Sequence, residues 1–210
     1  MLNGLYAPTR FANLTGFVLA GGGSKRMGRP KQDLALGGEP MLSRQIGLLK
    51  SLCGQVGVVG GLNPRNEESD FFCEDEWPGR GPLGGIFSGL ARTRTEYNLF
   101  VGCDMPFLTP AFLRYLSARA MAECAGVTAP ESRSLRVQPL CAIYRRDARA
   151  AIRMSLMRDA NKTSGFYSRV CCLIVRWREI SRAGFRPDIF TNVNTPADYE
   201  AAGKNAELKL

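Results

Sequence analysis

The 210-residue sequence contains no histidine. Whatever chemistry it performs must do without the commonest general acid–base side chain. It also lacks any run near the ~18 apolar residues that a membrane helix requires, so no membrane partner is expected. The opening "MLNGLYAPTRFANLTG" has no charged segment leading into an apolar one and does not read as a signal peptide. Seven cysteines are present, an odd number, and none forms a C-x-x-C pair. Most lie in apolar stretches such as "LFVGCD" and "VCCLIV". This predicts buried free thiols in a reducing cytoplasm, not a disulfide framework or a zinc site. There is no run of five or six like charges, no internal repeat and no low-complexity tract.

What is present is an ordinary globular composition, 45% hydrophobic and 22% charged, in a chain long enough for one sizeable core. The first 14 residues read as an extension, and residues 15–204 as a single domain. Lys and Arg exceed Asp and Glu by 28 to 19, a net charge of +9. That excess suits nucleotides, phosphorylated cofactors or nucleic acid, and suits a generally basic soluble protein equally well.

Periodicity predicts strands at 15–20, 55–60, 71–75, 98–104, 126–130, 139–144 and 170–177. Helices are expected at 41–52, 82–94, 109–123, 147–157 and from Thr195-Pro196 onward. The first helix carries Met41, Leu42, Ile46, Leu48, Leu49 and Leu52 at helical spacing, with Gln45 among them. Pro82 and Pro110 stand at favoured helix-opening positions, and Thr109 is the expected N-cap of the third helix. The alternation of strands and helices predicts a three-layer α/β/α, Rossmann-like architecture around a mostly parallel sheet.

In such a sheet, ligands bind beyond the carboxyl ends of the strands. Three features fall there: "LAGGGSKRMGRPK" (19–31), Glu74-Asp75, and Cys103-Asp104. The glycines of the first can bring backbone N–H groups against an anion, and Lys25, Arg26, Arg29 and Lys31 can neutralise phosphates. It is neither a P-loop, because Gly28 is followed by Arg29-Pro30, nor a dinucleotide fingerprint, because Arg26 fills the third glycine's place. Asp104 is suited to ligate Mg²⁺, which prefers oxygen ligands shared with substrate phosphates. A basic glycine loop and a strand-end aspartate, without histidine, fit phosphoryl or nucleotidyl transfer, which rests on positioning and charge neutralisation.

The loop "LAGGGSKRMGRPK" resembles the signature of sugar-nucleotide-type nucleotidyltransferases, LAGG-x-S-x-RMG-x-x-K. "GPLGGIFSGL" (81–90), "VGCDMPFL" (101–108), "QPLCAIYRRD" (138–147) and "NVNTPADY" (192–199) narrow the likeness to the molybdenum cofactor guanylyltransferases. The resemblance implies transfer of GMP from GTP to the terminal phosphate of Mo-molybdopterin, with Mg²⁺ as cofactor and pyrophosphate as by-product. It places GTP on Leu19, Ala20, Gly21, Gly22, Lys31, Asn63, Asp75 and Asp104. Arg26, Lys31 and Asp104 would be catalytic, Asp104 would ligate the metal, and Asn192 and Asn194 would face the pterin. From the residues alone, "NVNTP" reads as a turn and helix cap. The implied partners are these small molecules, together with molybdenum-insertion proteins and molybdoenzyme chaperones, and not nucleic acid or membrane. Pro30 stands where these enzymes often carry Asp, a version shared with related cytidylyltransferases, so cytidylyl transfer is the competing reading. A non-catalytic polyanion-binding module is a third. Residues 155–169 match the family poorly and receive no assignment.

Overall fold

A computed structural model describes residues 10–21, 34–61 and 68–207. Nine strands and six helices are defined among them: β1 Phe11–Leu19, β2 Ala35–Leu36, β3 Glu39–Pro40, α1 Met41–Lys50, β4 Cys53–Val59, β5 Phe71–Cys73, α2 Pro82–Arg92, β6 Tyr97–Gly102, α3 Pro110–Glu123, β7 Val127–Pro130, β8 Cys141–Arg145, α4 Ala148–Leu156, β9 Cys172–Val175, α5 Trp177–Arg182 and α6 Pro196–Glu207. Seven strands form one sheet in the order β5-β4-β1-β6-β8-β7-β9, and β2 and β3 form a small hairpin.

β8 is antiparallel to β6 and β7, while every other pairing in the sheet is parallel. The reason is chain length. A parallel crossover needs a dozen or more residues, and the stretch between Pro130 and Cys141 is too short for one, so β8 must return beside β7 head to tail. The interior strands are continuous apolar runs, all six residues of β6 being buried. This is what a sheet covered on both faces requires.

The two faces carry separate cores. On one, Leu14, Val18, Val58 and Leu99 meet Ile46 and Leu49 of α1, Phe112 and Leu116 of α3, and Ile180 of α5. On the other, Phe17, Leu19, Val59, Phe100 and Tyr144 meet Leu83, Ile86 and Leu90 of α2 and Ile152 and Leu156 of α4. The architecture is therefore the expected three-layer α/β/α with a mostly parallel sheet.

Several boundaries differ from expectation. β1 begins at Phe11, not at residue 15, so residues 11–14 belong to the sheet and not to an extension. Phe11 and Leu14 are buried, Phe11 N–H donates to Leu52 O at 2.6 Å, and a register shift between Phe11 and Thr15 breaks the alternation. β9 stops at Val175, and Trp177 opens α5, a short helix that periodicity did not predict. The hairpin of β2 and β3 was also not predicted; it turns through Gly37 and Gly38 at φ of 62° and 82°. The unassigned segment 155–169 is structural where it is packed: Phe166 is fully buried in the second core, and Arg169 Nη1 donates to Ser155 Oγ at 3.0 Å.

Candidate functional site

The parallel register brings the expected strand ends to one line. Leu19 of β1 pairs with Val59 of β4 and with Gly102 of β6, and Val59 pairs with Cys73 of β5. Ala20-Gly21, Gly60-Gly61, Glu74-Asp75 and Cys103-Asp104 consequently leave the sheet at the same edge. Backbone bonds extend the ladder past the strands: Ala20 N–H donates to Val59 O at 3.0 Å and Gly60 N–H to Cys73 O at 3.0 Å.

A cavity of about 360 Å³ opens at this edge, bordered by Leu19, Gly21, Gly60, Asp75, Gly81 and Gly85. Glycines supply five of its nine lining residues, so much of its wall is main chain. Gly60 has φ of 69°, and a Cβ there would stand 3.2 Å from Gly21 Cα, so the loops after β1 and β4 lie backbone against backbone. The result is a slot with exposed peptide edges and one carboxylate, suited to a planar, hydrogen-bonding guest. Asp75 is held in it through Oδ1, which accepts from Trp77 N–H at 2.9 Å and lies 3.4 Å from Ser88 Oγ on α2. Burial pushes the thiol of neighbouring Cys73 up from its ordinary value, so the end of β5 presents no thiolate nucleophile.

Asp104 follows β6 and is half-buried. Its Oδ1 occupies the space beside Gly102, where a Cβ would approach it to 2.5 Å. The turn that carries Asp104 is held from three directions. Cys103 N–H donates to Leu19 O at 3.2 Å, Val193 N–H donates to Asp104 O at 2.8 Å, and Gln45 Nε2 donates to Met105 O at 2.8 Å. Gln45 is fully buried on the apolar stripe of α1, and its Oε1 has no hydrogen-bond partner among the described residues. Sequence reasoning missed its part here, although a lone amide on an apolar stripe is the signal that could have revealed it.

The Val193 bond brings "NVNTP" to Asp104. Val193 is buried with Leu36, Met41 and Ala202, which docks this segment on the β2–β3 hairpin and α1. The cap reading of the motif also holds: Asp198 Oδ2 accepts from Asn194 N–H at 3.0 Å and Thr195 N–H at 2.9 Å, and Thr195 Oγ1 accepts from Asp198 N–H at 3.2 Å. Asn192 is exposed and Asn194 half-buried, one on each side of the residue that grips Asp104. Leu19, Ala20, Gly21, Asp75, Asp104, Asn192 and Asn194 thus share one edge of the sheet. Gly22, Arg26, Lys31 and Asn63, and with them Pro30, lie outside the described residues.

Comparison with known proteins shows the family. The MobA-like NTP transferase domain family matches residues 16–169. A probable molybdenum cofactor guanylyltransferase of Pelotomaculum thermopropionicum is 36% identical over 199 residues, covering 92% of this chain and 93% of that protein. The crystal structure of molybdopterin-guanine dinucleotide biosynthesis protein A from Archaeoglobus fulgidus superposes with a TM-score of 0.81 at 21% identity, over 92% of this chain and 99% of that one. The 2-C-methyl-D-erythritol 4-phosphate cytidylyltransferase of Thermus thermophilus does so with a TM-score of 0.65 at 15% identity, over 91% and 98%. The two structures share the fold; the sequence match carries the family.

Proposed function

Because the chain belongs to the MobA-like NTP transferase family, and so to the nucleotidyltransferases, we propose that it is a molybdenum cofactor guanylyltransferase. It transfers GMP from GTP to the terminal phosphate of Mo-molybdopterin. The observation that carries this is the joining of the three candidate subsites on one edge: the glycine-walled slot, Asp104 beyond β6, and the asparagine segment whose Val193 N–H grips Asp104 O at 2.8 Å.

An oxygen of the acceptor's terminal phosphate attacks the α-phosphorus of GTP. The bond from that phosphorus to the oxygen bridging to the β-phosphate breaks, and pyrophosphate leaves. The nucleophile is already anionic at neutral pH, so the missing histidine costs the reaction nothing. The slot holds the guanine and ribose against peptide groups and Asp75. Asn192 and Asn194 present amide donors and acceptors to the edge of the pterin. Arg26 and Lys31 of the signature loop neutralise the triphosphate.

Asp104 is the residue that would hold Mg²⁺. The fit is chemical: it is a half-buried carboxylate just beyond β6, whose neighbour β1 ends at Leu19 on the border of the slot. Mg²⁺ is commonly bound this way, by one or two carboxylates with water and substrate phosphates completing the shell. When bound, the ion neutralises charge on the phosphates. A cytoplasmic setting suits the free cysteines; no helix among the described residues is long and apolar enough to cross a membrane.

Incubation with Mg²⁺, Mo-molybdopterin and labelled GTP or CTP tests the reading. GMP should enter the pterin product with release of pyrophosphate, and Asp104→Ala should lose about 100-fold or more in turnover while keeping its fold. Use of CTP without GTP would transfer the assignment to cytidylyl chemistry. Unchanged turnover in the Asp104 variant would remove that carboxylate from the reaction, and no transfer from either nucleotide by the wild-type chain would return it to the class of polyanion-binding modules.

A further inference from the structure

The connection between β7 and β8 has no part in the reaction as described, yet it is built with care. Residues 131–138, "ESRSLRVQ", fold back into a tight hairpin. Glu131 bridges Val137, Ser132 N–H donates to Arg136 O at 2.9 Å, and Leu135 N–H donates to Ser132 O at 2.9 Å. Ser132 Oγ lies 3.1 Å from Arg136 O and 3.0 Å from Ser134 Oγ. Leu135 takes φ of 58°, a left-handed conformation that a branched residue adopts only under constraint. The base is anchored by the buried carboxylate of Glu131, which accepts from Arg176 Nη1 at 2.9 Å and Trp177 N–H at 3.3 Å. The tip of the hairpin is therefore held in place.

The hairpin leaves the carboxyl end of β7, at the same edge as Asp104. Along that edge the order is the glycine slot at β4 and β1, then Asp104 at β6, then β8 and the hairpin at β7. β7 is three strand positions from β1, about 14 Å at the usual spacing. Between the hairpin and the chain before α6 runs an open groove of about 600 Å³, with Ser132, Arg133, Arg136 and Gln138 on one bank and Phe190 and Asn192 on the other. Asn192 is adjacent to Val193, whose N–H holds Asp104 O. One bank of the groove is thus continuous in sequence with the residue bonded to the backbone of Asp104.

Its charge is one-sided. No acidic side chain among the described residues lines it, and Arg133 and Arg136 are exposed. Among the described residues neither arginine is in an ion pair, whereas Arg119, Arg145 and Arg176 all are. Two unspent guanidinium forks on a rigid hairpin are a recognition device for a phosphate. The proposed reaction needs one, because a phosphate dianion must approach a triphosphate of the same sign.

We infer that Arg133 and Arg136 clamp the terminal phosphate of the acceptor and make the enzyme specific for phosphomonoester acceptors. The clamp rests on the guanylyltransferase reading for the identity of that acceptor. It offsets the repulsion between the two anions and aims the attacking oxygen at the α-phosphorus of GTP. Both residues act on binding and orientation; the bonds made and broken remain those given above.

The test is acceptor binding to the full chain without nucleotide, followed by pterin fluorescence, with Mo-molybdopterin and its phosphatase-treated form as probes. The R133A/R136A variant should bind the phosphorylated probe at least about tenfold more weakly, the loss expected for charge-assisted contacts. Its affinity for the dephosphorylated probe, its thermal midpoint and its KM for GTP should be unchanged. R133K/R136K should recover part of the loss, since it keeps the charge but not the fork. Equal weakening of both probes, or no weakening of either, would overturn the clamp. A wild-type chain that prefers the phosphorylated probe through these arginines but transfers no GMP would overturn the function and leave the clamp standing.

Discussion

A methyl group on Gly102 would stand 2.5 Å from Oδ1 of Asp104, well inside carbon–oxygen contact. The rest of the turn cannot yield to make room, because Leu19, Val193 and Gln45 each hold part of it by a hydrogen bond. The carboxylate would have to move instead. Gly102→Ala is therefore expected to behave as a variant of the site more than of the fold. Turnover should fall about 100-fold, the usual cost of displacing a reacting group by an ångström. Stability should fall by only about 1–2 kcal/mol. Manganese binding by electron paramagnetic resonance, as a stand-in for Mg²⁺, should weaken in parallel. Wild-type turnover in this variant would mean that the position of the Asp104 carboxylate does not matter.

At the scale of elements, α6 is the piece that ties the asparagine segment to Asp104. Its first turn is closed by Asp198, whose single Oδ2 takes two backbone N–H groups. Its side packs through Ala202 and Tyr199, and Tyr199 Oη donates to Ala35 O of the β2–β3 hairpin. Asp198→Ala removes the cap, worth roughly 1–2 kcal/mol in such a setting. Amide exchange across 192–202 should quicken about tenfold, which is the kinetic equivalent of 1.4 kcal/mol, while β6 stays protected. Unaltered exchange in this segment would show that packing on the hairpin, not the cap, holds the asparagines in place.

Over the whole molecule, the two cores bury thiols and a phenol with no use for their charge. Burial pushes Cys53 from its ordinary 9.0 up to about 12, with Arg10 opposing it weakly, and it raises Cys141 and Tyr144 as well. Each pKa is higher in the folded chain than in the unfolded one. Below about pH 9 both states keep these protons and stability is unaffected. Above it the unfolded state binds fewer protons, and stability falls as pH rises towards 12. Each fully shifted group contributes about 1.4 kcal/mol per pH unit. Urea midpoints should be insensitive to these groups from pH 7 to 9 and decline steadily above that. A flat profile to pH 11 would contradict the burial of Cys53 and Tyr144.

Hydrophobic period and turn chemistry are local, and they already specify most elements, the caps at Thr109 and Thr195, and the presence of Leu19, Asp75 and Asp104 at strand ends. They miss elements too short to show a period, such as β2, β3 and α5, and they misplace the start of β1 where a register shift breaks the alternation. Asn192 and Asn194 stand out in the sequence only through a family likeness, because a helix cap explains "NTPAD" equally well. Three-dimensional contact is what attaches them to Asp104, across 88 residues, by the 2.8 Å bond from Val193 to the carbonyl of Asp104. The same is true of Gln45, an ordinary helix residue until Met105 is seen to face it, and of Arg133 and Arg136, ordinary surface cations until the strand order sets their hairpin at the same edge as the aspartate. Strand order and the reversal of β8 depend on which distant segments bury each other's apolar faces, and no short stretch of chain contains that information.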